Sequence, residues 1–421
     1  MKKQQEFKNT EIGRIPREWE VVRLGDEQVA EIKGNKSINR FNEVAFIPME
    51  AVPDSGIFVN FEIRPMEEVK SFTYCESGDL LLAKITPSLE NGKQGIVPDS
   101  VPNGFALATT EVFPIKCKSI EKLFLFYVLK DSRFRNKIIA SMTGTTGRQR
   151  ATKVSVKNLF IPLPPFPEQQ KIAEILSTVD QAIEKVDDSI AKTERLKKGL
   201  MQELLTKGIG HKEFKDTEIG RIPKEWEVVR LGEVVDINKE SRDPNREFPE
   251  REFLYIDIDS IENGTGVIKA AKTLIGKKAP SRARRVIHYN DVIMSTVRPY
   301  LKAFAIVPRE YDAQICSTGF AVLTCKERIL PSYLLYTLFS NYVISQCNRM
   351  MVGGQYPALN NSQVEKIKLP LPSLPEQQKI AEILSTVDKR LVLLRNKKEK
   401  MERVKKGLMN DLLTGKRRVK V

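Results

Sequence analysis

From Glu168 onward the apolar positions Ile172, Leu176, Val179, Ile183, Val186 and Ile190 recur at alternating steps of four and three, with polar residues between them. A second stretch repeats the steps at Ile380, Leu384, Val387, Leu391 and Leu394, and Lys398 takes the next place. Both patterns continue, through Thr193, Leu196, Leu200 and Leu204 and through Met401, Val404, Leu408 and Leu412, with an irregularity that resembles a stutter. The spacing predicts two long helices with narrow seams of the coiled-coil kind. A helix lying on a globular core would carry a wider stripe. Pro167 and Pro375 suit a first helical turn, and Glu168 and Glu376 its positive end. Gly208 and Gly415 suit the helix ends, with Lys207 and the run Lys416, Arg417, Arg418 near the negative ends.

Elsewhere the apolar runs are short and bounded by Gly, Asn, Asp or Pro, the pattern of buried strands. They occur in pairs: FIPMEAV from Phe46 and YIDIDSI from Tyr255, GDLLLAKI from Gly78 and NDVIMSTV from Asn290, GIVP from Gly95 and AIVP from Ala305. EKLFLFYVLKDSRFRNKIIASM and PSYLLYTLFSNYVISQCNRMM each carry a wide apolar face and are predicted as one helix apiece. Each runs into a polar loop, TGTTGRQRATK after Met142 and VGGQYPALNNSQ after Met351, and then into a Pro-rich exit.

The pairing extends to near identity. FKNTEIGRIPREWEVVRLG from Phe7 returns as FKDTEIGRIPKEWEVVRLG from Phe214, FPEQQKIAEILSTVD ending at Asp180 returns as LPEQQKIAEILSTVD ending at Asp388, and RLKKGLMQELLT from Arg195 returns as RVKKGLMNDLLT from Arg403. The chain is therefore read as two similar mixed α/β domains, 1–165 and 208–373, with helical regions 166–207 and 374–415 and a basic tail 416–421. At about 1.5 Å per residue, the segment from Glu168 to Lys207 makes a rod of roughly 60 Å. Because domain termini usually lie close together, the second helix is expected to run back antiparallel to the first. That arrangement brings the tail near residue 1 and relates the copies by a pseudo-twofold axis, as in a circular tandem repeat.

Charge narrows the partners. An excess of 69 Lys and Arg over 54 Asp and Glu gives +15 at pH 7, which favours a polyanion such as nucleic acid. Cys75, Cys117, Cys316, Cys325 and Cys347 are scattered without CxxC spacing and read as reduced thiols of a cytoplasmic protein. No apolar run suits a leader or a membrane span. His211 and His288, the only histidines, have no clustered cysteine to make a zinc site, and His288 is read as a surface residue or a phosphate contact.

Catalytic motifs are missing. A methyltransferase of exocyclic amino groups needs [ND]PP[YF] and a Gly-rich cofactor loop, and the nearest approach is Arg298, Pro299, Tyr300. There is no GxxxxGK[ST]. Pro53 and Asp54 with Glu62 and Arg64 imitate a nuclease motif, but ProAspSerGly is an ordinary turn and the lysine is absent. Neither catalytic residues nor a cofactor nor a metal is expected.

The paired PEQQKIAEIL, the KKGLMxxLLT helix ends and the EIGxIPxEWEVVRLG domain starts together resemble the specificity subunit of Type I restriction-modification systems, over essentially the whole chain. The resemblance implies a non-catalytic subunit that reads a bipartite, asymmetric site in double-stranded DNA, one target recognition domain per half-site. It also implies that the paired helices dock methyltransferase subunits, two per chain, and that restriction subunits join through that complex. Two other readings compete. A stand-alone, repressor-like DNA-binding protein is opposed by the apolar surface expected on the helices, and a methyltransferase or enzyme fusion by the missing motifs.

Base and phosphate contacts call for loops rich in Arg, Lys, Gln, Asn, Thr and Tyr. In the first domain these are Thr145, Thr146, Gly147, Arg148, Gln149, Arg150, Thr152 and Lys153, followed by Lys84, Thr86, Ser88, Lys93 and Gln94. In the second they are Gln355, Tyr356, Asn360 and Asn361, with Thr296, Arg298, Tyr300 and Lys302. Lys277, Lys278, Arg282, Arg284 and Arg285 are expected on phosphates. Gly199 and Gly407 interrupt helix interiors, which costs about 1 kcal/mol each relative to Ala, and are expected where a docked subunit's backbone approaches.

Overall fold

The computed structural model describes residues 6–34, 36, 38, 41–145, 147–351 and 357–420. Its contacts divide the chain into two units, Met1–Ser189 with Leu394–Val421, and Ile190–Leu393. Each long helix, Phe166–Lys207 and Leu374–Leu412, thus gives its first part to one unit and its last part to the other.

In the first unit one four-stranded antiparallel sheet runs in the order Ala30–Ile32, Val112–Cys117, Leu80–Ala83, Gln94–Ile96. The central strand Leu80–Ala83 is buried on both faces, which is why it reads as a continuous apolar run. A second sheet, ordered Glu62–Pro65, Glu43–Ile47, Phe105–Ala108, Thr73–Glu76, contains a parallel pair of strands, in which Leu107 lies beside Phe46. The repeated domain start forms a hairpin, Phe7–Thr10 with Gly13–Pro16, and then Glu20–Arg23 pairs with the Pro-rich exit Phe160–Leu163, closing the domain on itself.

The second unit repeats the plan. One sheet is ordered Val235–Ile237, Phe320–Cys325, Val292–Ser295, Phe304–Ile306, the other Lys272–Ile275, Glu252–Ile256, Gln314–Ser317, Ala283–Ile287, and Glu227–Arg230 pairs with Lys368–Leu371. Cys75, Cys316 and Cys347 are buried free thiols and Cys117 and Cys325 are half-buried. Among the described residues no helix is long and apolar enough to cross a membrane.

Two helical expectations are corrected. The segment read as one helix after Glu121 is two, Lys122–Lys130 and Ser132–Ala140, because the Asp131 carboxylate accepts from the Arg133 N–H and starts a new helix. Ser340 caps the Val343 N–H in the same way between Pro331–Leu338 and Asn341–Met350. The seam also fails at the stutter, where Leu196 and Val404 are 54% and 56% exposed while Thr193 is buried. A heptad seam drifts around a straight helix, and these two side chains have rotated out of the contact.

Within the first unit the two long helices pack antiparallel: Asp180 pairs with Lys405 at 2.5 Å and Asp187 with Lys398 at 2.7 Å. Lys398 therefore keeps its seam position by neutralising a carboxylate on the other helix. Asp180 also accepts from the Tyr127 hydroxyl at 2.8 Å, so a Tyr, Asp, Lys set ties domain to helix pair. The second unit builds the same set from Tyr336, Asp388 and Lys197, at 2.8 and 2.5 Å.

The structure also explains the repeated PEQ and EW. Glu168 accepts from the Trp19 indole at 2.9 Å and Glu376 from the Trp226 indole at 2.9 Å. Gln169 and Gln377, both buried, accept from the backbone N–H groups of Glu121 and Leu330 where the next helices begin. Each motif thus fixes the start of a long helix to its domain. Gly208 and Gly415 adopt φ of +66° and +65°, and a Cβ on either would strike Trp226 or Pro16, so only glycine turns the chain there.

Candidate nucleic-acid interface

The two loops predicted separately in each domain come together at one end of a sheet. In the first unit the chain leaving Leu80–Ala83 is laced to the polar loop ahead of the helix Lys153–Lys157: the Thr86 N–H donates to the Gln149 carbonyl at 3.0 Å and the Ala151 N–H to the Lys84 carbonyl at 2.7 Å. The Lys84 N–H donates to the Glu111 carbonyl at 3.0 Å, which adds the Thr109–Glu111 turn to the same surface. Sequence reasoning missed that turn because it is short and carries no basic residue.

The second unit uses the same bonds. The Thr296 N–H donates to Gly319 at 2.8 Å, the Arg298 N–H to Pro357 at 3.0 Å and the Leu359 N–H to Thr296 at 3.0 Å. The Thr318 N–H donates to the Arg282 carbonyl at 2.8 Å, so one member of the basic run borders this surface.

Thr145, Arg148, Gln149, Arg150, Thr152 and Lys153 are exposed, and Gly147 has φ of +80°. Arg150 is braced by Glu111 through Nε at 3.1 Å and Nη2 at 2.9 Å. Thr152 caps its helix by accepting from the Ser155 N–H, and Lys84 and Thr86 are half-buried, the Thr86 hydroxyl donating to Glu90. In the second unit Tyr300 and Asn360 are exposed, Asn361 accepts from the Asn238 amide at 2.9 Å, and Arg298 sits in the left-handed region at φ 48°. Thr146, Gln355 and Tyr356 lie outside the described residues.

Several candidates do not present their side chains to this surface. Gln94 is fully buried, because its amide donates to the Phe126 carbonyl at 2.7 Å inside the first domain. Thr296 is 6% exposed, its hydroxyl donating to Gly319, and Ser88 is buried as well. Lys93 is spent on the carbonyls of Met49 and Val52, and Lys302 on that of Phe339, where burial pushes its ammonium down from the usual value.

The basic run divides. Lys278 and Arg282 are exposed, and Lys277 pairs with Glu250 on the surface. Arg284 turns to Asp243, while burial pushes the Arg285 guanidinium down from its usual value. His288 faces carboxylates rather than phosphate space, with Nε2 3.0 Å from Glu240 and Nδ1 3.4 Å from Asp312. Gly199 and Gly407 are exposed, and a Cβ at either would meet nothing within 4 Å. Among the described residues no group of three His, Cys, Asp or Glu side chains converges as a metal set.

Two copies of one mixed α/β domain, each anchored to a shared pair of long helices and each presenting a polar loop surface, define a duplicated recognition subunit. The chain matches the Type I restriction modification DNA specificity domain at residues 16–194 and again at 223–403, and it belongs to that family of non-catalytic specificity subunits, which recognise DNA within a restriction-modification complex. It is 32% identical to the Type I restriction enzyme MjaVIII specificity subunit of Methanocaldococcus jannaschii, over 99% of this chain and 97% of that protein. The putative MjaX specificity subunit of the same organism is 31% identical, over 99% and 98%. The fold is similar to that of the S subunit of a Type I system from M. genitalium, with TM-score 0.55 at 15% identity, covering 94% of this chain and 96% of that one. A chain from a structural study of the assembly and conformational transition of the type I system gives TM-score 0.58 at 20% identity, covering 95% and 99%.

Proposed function

We propose that each unit reads one word of a bipartite, asymmetric site in double-stranded DNA, through recognition domains 1–165 and 208–373, and that the helical regions 166–207 and 374–415 dock two modification subunits. Restriction subunits join through that complex. The observation that carries the reading is a shared frame with unshared side chains. At equivalent backbone hydrogen bonds the first unit presents Thr86 and Gln149 where the second presents Arg298 and Pro357. Two different words demand different side chains on one frame, and these positions supply them. Lys278, Arg282, Arg148 and Lys153 suit phosphates, which position the protein without specifying sequence. Exposed Leu196 and Val404, beside Gly199 and Gly407 on the helices, suit close approach by another subunit.

The test is reconstitution. With modification subunits and labelled S-adenosylmethionine, the chain directs methylation to one bipartite sequence, and the pure chain alone transfers nothing. Methyl transfer by the pure chain, or sequence-independent methylation by the complex, would overturn the reading.

A further inference from the structure

The backbone hydrogen bonds align the two units residue by residue. Lys84 donates to the Glu111 carbonyl as Thr296 donates to that of Gly319, so Glu111 corresponds to Gly319. Arg150 bridges Ile85 as Ala358 bridges Val297, so Arg150 corresponds to Ala358. The first unit thus has a carboxylate and a guanidinium where the second has neither. Both members of the pair are present together or replaced together, and the second unit keeps the same frame without them. Holding the fold is therefore not what the pair is for.

Its geometry suits another task. Arg150 grips Glu111 through its Nε and Nη2 edge, at 3.1 and 2.9 Å. A guanidinium carries five N–H donors in a planar fork, so the edge formed by Nη1 and the second Nη2 hydrogen stays available. That edge matches the O6 and N7 acceptors of guanine in the major groove. The Arg150 side chain is 55% exposed and that of Glu111 24%. The backbone is held too, since Thr143 and Arg150 exchange both N–H to carbonyl bonds, at 3.0 and 2.8 Å. An arginine fixed in advance at backbone and side chain loses little freedom when it meets a base edge.

We propose that Glu111 is a specificity-determining positioning residue, which holds Arg150 as the guanine-reading side chain of the first half-site. The proposal rests on the loop surface being the DNA interface. In the second unit, with Gly319 and Ala358 at these places, the arginine next to the same bridge is Arg298, on the opposite strand of the bridge. The two words are then read by arginines that approach from different loops.

The experiment uses the assembled methylating complex and a panel of duplexes that changes each base pair of each half-site in turn. R150A is expected to lose discrimination at one guanine of the first half-site by about tenfold or more. R150K keeps the charge but not the fork, and is expected to keep affinity while losing the same discrimination. E111Q is expected to lower selectivity at that same base pair by about threefold to tenfold, with no further loss when combined with R150A. Selectivity at the second half-site stays unchanged throughout and serves as the control for folding.

Three results would overturn the proposal. If E111Q tightened binding to every sequence, Glu111 would be a competitor of DNA phosphates. If R150A lost discrimination while E111Q did not, positioning by Glu111 would fail and the interface would stand. If R150A and a replacement of the whole 143–151 loop both left first half-site selectivity intact, the interface itself would be misplaced.

Discussion

Trp19 donates its indole proton to Glu168 at 2.9 Å, across 149 residues of chain, and so ties the turn that follows the first hairpin to the first turn of a long helix. Arg418, from the C-terminal tail, adds bonds to the same carboxylate at 2.6 and 2.9 Å. Glu168 is 2% exposed, so its charge is tolerated only because these donors are present. Removing the carboxylate strands a buried indole N–H and leaves Arg418 with Glu18 as its remaining partner in this set. Glu168→Ala is expected to destabilise the first unit by about 1 to 3 kcal/mol. Calorimetric unfolding would register this as an earlier transition, and an unchanged profile would contradict it.

Gly199 and Gly407 separate docking from stability. A Cβ at either meets nothing within 4 Å, so alanine adds helix propensity, about 1 kcal/mol per site, and no clash within the chain. Gly199→Ala and Gly407→Ala are expected to raise the unfolding temperature slightly while weakening association with modification subunits. Sedimentation of the mixed subunits tests the second half of that statement. Unaltered association would remove the two glycines from the docking surface.

His288 makes the second unit sensitive to pH. Its hydrogen bond to Glu240, aided by the Asp291 charge and the Asp312 contact, raises the imidazole above its ordinary value of 6.5 despite partial desolvation. The folded state holds the proton more tightly than the unfolded state. The resulting stabilisation is therefore complete below about 6.5 and is lost as pH rises through the folded value. His288→Gln should flatten that dependence, which unfolding midpoints measured from pH 5 to 9 would show. An imidazole resonance titrating at or below the ordinary value would contradict the assignment.

The repeats are legible as near-identity, and the two long helices and the strands Leu80–Ala83 and Val292–Ser295 as local patterns, whereas FIPMEAV and YIDIDSI are strand only to Ile47 and Ile256 and then turn at Met49–Ala51 and Ile258–Ser260. What is not legible depends on which bond or contact a side chain makes, near or far in the chain. The break at Asp131 hides because an aspartate inside an apolar run looks like one polar position, and only its bond to the Arg133 N–H reveals a cap. Leu196 and Val404 fit the apolar rhythm yet face outward, since the rhythm does not fix where a straight helix leaves its partner. Gln94 looks like a DNA-contacting residue, but its amide serves the Phe126 carbonyl. The Glu111 brace of Arg150 escapes composition altogether, because an acidic residue in a short turn is the last place to look for DNA recognition.

The central claim is that each half of the chain specifies one word. The most direct measurement maps methylated positions genome-wide in cells carrying the complete system, with the native chain and with R150A and R298A in turn. The native chain is expected to give one asymmetric, bipartite motif, R150A to relax only one of its two words and R298A only the other. A palindromic or contiguous motif, or a substitution that alters both words together, would contradict the account.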